Sequence, residues 1–144
     1  MHTADPNSAT RLPWSVQAAA IILAVYGIVV LVNATIEQHA LGWDSVEPRG
    51  YPRAVIRFLG MSLIAWGLFK RARWAWWFGV LLPGFFLAAG VAGLAVLFRF
   101  RTEAPDAWAS VTTPWVLASF VALAAAMTLL LAPSSRAVFK RPAA

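Results

Sequence analysis

No cysteine occurs in this chain. Disulfide exchange, thiolate nucleophiles, iron–sulfur ligation and cysteine-built zinc sites are therefore excluded. Histidine is nearly as scarce, with only His2 and His39. A metal centre needs several ligands, and a haem held between helices needs paired histidines, so neither a metal nor a cofactor is expected. Charge is thin as well. Charged residues make up 12% of the sequence and hydrophobic residues 60%. A soluble domain carries about 25% charged residues, and this composition cannot furnish its polar surface. There is no glycine loop of the kind that cradles phosphates. The serines at 45, 62, 110, 119, 134 and 135 lack a base at their own depth unless His39 serves Ser45, and no oxyanion motif accompanies that pair. No catalytic residue is assigned, and a non-enzymatic protein is expected.

What the chain does contain is long apolar runs. A helix that crosses a membrane needs about 20 predominantly apolar residues. Residues 14–36 carry no charge and follow Pro13, which is tolerated at a helix start. Residues 74–98 are charge-free, and residues 114–132 follow Thr113, a candidate N-cap, with Pro114 at the first helical position. The weakest run, 52–70, has Arg53 and Arg57 in its first turns, so its charge-free stretch starts only at Phe58. Both guanidinium groups are expected to snorkel back to the interface. The fold class that follows is all-α: a polytopic membrane protein, a four-transmembrane-helix antiparallel bundle forming one domain over 1–144. The first run is too long, and its leading tail too poor in cations, for a cleaved signal peptide, so it is kept as a span. The connections are a loop at 37–51, with a short surface turn or helix from near Asp44, a tight turn at 70–73, and a loop at 99–112.

Four spans put both termini and the 70–73 turn on one side. That side collects Arg11, Lys70, Arg71, Arg73, Arg136, Lys140 and Arg141 against Asp5. The other collects Arg49, Arg53, Arg57, Arg99 and Arg101 against Glu37, Asp44, Glu47, Glu103 and Asp106. The bias places both termini in the cytoplasm. Ten of the twelve cations are arginine, a usage that suggests a GC-rich bacterial genome and hence a bacterial inner membrane. The stretch FKRARWAWWFG at 69–79 then reads as a lipid-interface anchor. Lys70, Arg71 and Arg73 would favour anionic headgroups by about 1 kcal/mol each. Trp74, Trp76 and Trp77 would set amphipathic indoles at the boundary, with Trp14 beside them and Trp43, Tyr51, Trp108 and Trp115 as the opposite belt. A nucleic-acid site would need a basic groove in a soluble context, so no nucleic-acid partner is expected. Belt tryptophans need no cationic ligand, which disfavours an aromatic cage.

Small residues recur at helical spacing: Ala20, Ala24 and Gly27; Gly84, Ala88 and Ala92, with Ala89 and Gly93 alongside; Ala118, Ala122 and Ala126. They suit close helix packing within a bundle, and one stripe could serve a membrane-protein partner or self-association. Pro83, followed by Gly84, cannot donate to the Gly79 carbonyl and should kink the third span. The outer polar cluster is Asn33, Glu37, His39, Arg53 and Arg57. A Glu37–Arg57 ion pair stapling the first two helices is the preferred reading, and a shallow pocket for a headgroup, an anion or a partner segment is the alternative. No carboxylate lies mid-span, which counts against proton-coupled transport. These observations favour an accessory or scaffold subunit that works through helix packing and an outer loop. The alternative is a small homo-oligomeric transporter or channel for an anionic or amphiphilic solute; a membrane-embedded lipid-modifying enzyme ranks third.

Overall fold

The computed structural model of the chain describes residues 12–41, 50–100, 102–103 and 113–140. Among these the chain is all-helical: α1 (Trp14–Leu41), α2 (Gly50–Phe69), α3 (Arg73–Arg99), α4 (Pro114–Leu131) and α5 (Pro133–Lys140). The first four are long and apolar enough to cross a membrane, which makes the chain a multi-pass membrane protein. The expected helix near Asp44, most of the 99–112 loop, Trp43 and Trp108 lie outside the described residues.

Helix boundaries follow local chemistry. The Pro13 carbonyl accepts from the Val16 and Gln17 amides at 3.0 and 3.2 Å, so α1 begins where the proline has no donor to lose. α1 runs five residues beyond the expected 36. Asn33 Nδ2 donates to Glu37 Oε1 at 2.8 Å across one turn, and the polar end stays helical through His39. Pro114 occupies the first turn of α4 as expected, but Thr113 makes no side-chain cap hydrogen bond.

The α2–α3 turn is tighter than the sequence suggests, because Arg73 already belongs to α3. The Ala72 amide donates to the Gly67 carbonyl at 2.9 Å and the Arg71 amide to the Leu68 carbonyl at 3.1 Å. These two bonds close a Schellman motif. Arg71 takes the left-handed position at φ 56°, where a non-glycine residue costs about 1–2 kcal/mol.

Hydropathy does not mark the fifth helix, since eight residues are too few to span. Ala132 precedes Pro133 and is extended, at φ −56° and ψ 144°, which ends α4. Its carbonyl then accepts from Ser135 and Arg136 at 3.0 and 3.1 Å and starts α5. Ser135 and Phe139, four apart, are buried, whereas Ser134, Arg136 and Ala137 are exposed. α5 thus lies with one face against the bundle.

The spans form a ring, α1–α2–α3–α4, with α4 returning against α1. Close approaches fix the register. A Cβ on Gly27 would meet Met61 at 3.3 Å; Gly79 faces Ile64 and Leu130; Gly84 faces Met127; Gly90 lies under the Phe120 ring. These pairings run antiparallel around the ring. The core occupies one half of its length. Val16, Ala19, Ala20 and Leu23 meet Met61, Ile64, Ala65 and Leu68, together with Ala75, Leu123, Ala126, Leu130 and Phe139. All sit toward the end that holds Trp14, the 70–72 turn and α5, termed the near end. α3 runs unbroken through Pro83, its last buried residue. Large apolar side chains point outward instead: Ile21, Val25, Ile28 and Val32 make one exposed stripe along α1. Small residues inside and large ones outside is the arrangement lipid favours, since lipid dissolves the large side chains while small ones let backbones approach.

Gly67 is the tightest point of the α2–α3 hairpin, where a Cβ would lie 2.6 Å from Ala75 Cβ and 2.9 Å from the Trp74 ring. Ala75 is too short to move aside. Gly67→Ala should therefore lower stability by about 1–3 kcal/mol. Gly60→Ala, where nothing lies within 4 Å among the described residues, should leave it unchanged or slightly raised. Thermal unfolding of the two variants in detergent measures the difference, and equal midpoints would contradict this helix register.

Candidate functional site

Beyond Pro83 the bundle opens. A cavity of about 610 Å³ lies in the far half of the ring, and all four spans contribute to it. α1 supplies Tyr26, Asn33 and Glu37, α2 supplies Arg53 and Arg57, α3 supplies Phe86 and Gly90, and α4 supplies Trp115, Ser119 and Phe120. Its volume falls in the range of about 300–1,000 Å³ that small-molecule sites occupy.

The position of its charges follows from the length of α2. From Arg57 to Phe69, the last residue of α2, the helix rises about 18 Å. The hydrocarbon layer is about 30 Å thick. A span whose charge-free stretch is that short draws Arg57 into the layer, and Arg53 follows one turn nearer the far end. The Arg57 guanidinium lies 5.1 Å from the centre of the Phe86 ring, near the middle of α3. The cation rests on an aromatic face and in a polar cavity, the two environments that lower its expense inside lipid.

Four of the five outer-cluster residues meet here: Asn33, Glu37, Arg53 and Arg57 line the cavity. His39 does not; it is exposed on the last turn of α1. The preferred Glu37–Arg57 staple is replaced by other partners, Asn33 for Glu37 and Phe86 for Arg57. The register explains this. Gly27 packs against Phe58 and Met61, so Arg57 stands opposite the α1 turn near Val30, and Glu37 lies about 10 Å farther along the axis. Among the described residues the lining carries two guanidinium groups and one carboxylate, a net charge of +1. The Ser119 hydroxyl donates to the Trp115 carbonyl at 3.0 Å and keeps acceptor capacity toward the cavity. Tyr26, Phe86, Gly90 and Ser119 are not marked by any sequence motif. Each lies on the inner face of an apolar span, and only the helix register reveals it. Trp115, read as a belt residue, is part of the wall.

The near-end anchor residues divide. Lys70 Nζ lies 6.0 Å from the Trp66 ring, and Trp74 and Trp77 are exposed as interfacial side chains would be. Trp76 instead turns inward, and its indole Nε1 donates to the Leu130 carbonyl at 2.9 Å. Ser135 Oγ donates to the Leu129 carbonyl at 2.7 Å and shares a 2.8 Å hydrogen bond with Ser15 Oγ. Two carbonyls of the last α4 turn, which no helical amide can reach, are thereby satisfied from α3 and α5. Gly79 provides close approach to α2 and α4, Pro83 closes the buried stretch of α3, and Gly84 packs on Met127. Among the described residues no group of three or more acidic or histidine side chains gathers to hold a metal ion. Comparison of the chain with protein-family models, with curated proteins and with solved structures found no match.

A chain without cysteine allows the cavity to be probed directly. A single Ser119→Cys variant should react with a polar thiol reagent, because Ser119 faces the cavity. Val121→Cys, on the exposed apolar side of the same helix at 69% exposure, should react at least tenfold more slowly in a bilayer, where lipid covers it. Equal labelling rates in liposomes would show that the cavity holds no water.

Proposed function

We propose that the protein is a non-enzymatic bacterial inner-membrane protein that binds an anionic amphiphile in its far-half cavity. One observation carries this reading: two arginines, one of them over the Phe86 ring near the middle of α3, open onto a cavity walled by all four spans. Burying guanidinium groups in lipid is expensive, and such residues face water-filled or ligand-binding spaces. Their planar forks suit phosphate or carboxylate oxygens, and Phe86, Phe120 and Trp115 offer the apolar wall a hydrocarbon tail requires. Of the two sequence expectations, the geometry thus supports the solute-binding one over the scaffold. Both termini lie in the cytoplasm in this reading, because the near end has the larger share of cations and only one acidic residue. The cavity then faces the outer leaflet.

The test uses the full chain in a neutral maltoside detergent, with octyl phosphate as the probe and octyl glucoside as the uncharged control. Octyl phosphate should raise the unfolding midpoint, and octyl glucoside should not. In an Arg53→Gln/Arg57→Gln variant the half-saturating concentration should rise at least tenfold. An identical response to both amphiphiles, or an unchanged response in the variant, would remove the proposal.

A second reading, an accessory role through helix contacts, is favoured by α3. Ala88, Ala92 and Gly93 are exposed, and among the described residues nothing lies within 4 Å of a Cβ placed on Gly93. By contrast, Gly27 of the α1 stripe is spent on α2 within the chain. If the α3 face holds a partner or a second copy, Gly93→Leu should abolish a complex seen by native mass spectrometry without lowering the unfolding midpoint of the chain. A monomer both with and without the substitution would discard this reading.

A further inference from the structure

A second cleft, of about 420 Å³, opens at the near end and is independent of the far cavity. Arg73, Trp76, Trp77, Leu131, Arg136 and Phe139 line it. We infer that this cleft is a discrete site for the phosphate headgroup of an anionic phospholipid of the near-end leaflet. Three observations carry the inference.

The first is charge. Arg73 opens α3 and Arg136 lies on α5, so two separate elements bring guanidinium groups to one cleft. Arginine forks match phosphate oxygens two at a time. The second is shape. Trp76 is held in place by its hydrogen bond to the Leu130 carbonyl, by Phe139 at 6.4 Å and by Trp77 at 5.0 Å between ring centres. The cleft wall is therefore fixed before any ligand arrives, and its apolar surface suits a glycerol backbone and first methylenes. The third is depth. The lining comes from the first turn of α3, the last turn of α4 and the short helix lying across their ends. Headgroup phosphates occupy that level of a bilayer. A belt of basic and aromatic residues would attract anionic lipid diffusely. Here three residues of that belt, Arg73, Trp76 and Trp77, converge with α5 on one place.

The full chain in neutral maltoside detergent is titrated with short-chain phosphatidylglycerol and, separately, with phosphatidylcholine of the same chains. Bound lipid is counted by native mass spectrometry. A single phosphatidylglycerol adduct should form at a concentration at least tenfold below that needed for phosphatidylcholine. An Arg73→Gln/Arg136→Gln variant should lose that preference. Arg53→Gln/Arg57→Gln should keep it, which separates this cleft from the far cavity. Lys70→Gln/Arg71→Gln removes the same charge outside the cleft and should also keep it. If the double cleft variant fails to purify, the exposed Arg136→Gln substitution alone should reduce the preference several-fold. The inference is overturned if the cleft variants retain the preference, if the Lys70/Arg71 variant loses it equally, or if inorganic phosphate alone forms the adduct while phosphatidylglycerol does not.

Discussion

The fold turns on a shortage of apolar length in α2. Only Phe58 to Phe69 of that helix is free of charge, about 18 Å against a hydrocarbon layer of about 30 Å. A helix so built cannot cross without carrying Arg57 inside, and a bare guanidinium there is strongly disfavoured. The remaining spans resolve the conflict. They stand apart over the far half and leave a polar space, and α3 offers Phe86 as a face for the cation. A fully packed bundle with this α2 would strand the charge in hydrocarbon.

The near half supplies what the far half gives up. Its core is made of small and medium side chains, and side chains from neighbouring helices answer the carbonyls at its helix ends. Trp76 and Ser135 reach the last α4 turn from α3 and α5, and the α2–α3 turn closes by paired backbone bonds. Pro83 marks the boundary. It is the last α3 residue buried against the other helices, and beyond it most side chains face the cavity or the lipid. One bundle therefore combines a closed, rigid end with an open, polar one.

How much of this was legible in the sequence depends on the length over which each signal acts. Three of the four spans were, because a charge-free run of 18 residues or more is difficult to read otherwise; the remaining one, 52–70, was read from its apolar run in spite of Arg53 and Arg57. The arginines of α2 were visible as an anomaly, but their depth was not. Depth depends on where the helix ends relative to its neighbours, which a single sequence does not display. The same gap explains the missing Glu37–Arg57 staple, since two residues assigned to facing helices can still lie about 10 Å apart along the axis. α5 is hidden because eight residues leave no hydropathy signature. Its start was nonetheless written in Ala132-Pro133, a pair that stops one helix and can begin the next. Ser15 carries no motif at all, and only the arrival of α5 gives its hydroxyl a purpose.

That hydroxyl contact joins positions 120 residues apart, from the first turn of α1 to α5. During synthesis the first hairpin enters the bilayer long before its latch has been translated. Ser15 must wait in the hydrated headgroup region while α2, α3 and α4 are inserted. Final closure of the near end is thus a late event, which waits until residue 135 has been made and has left the ribosome.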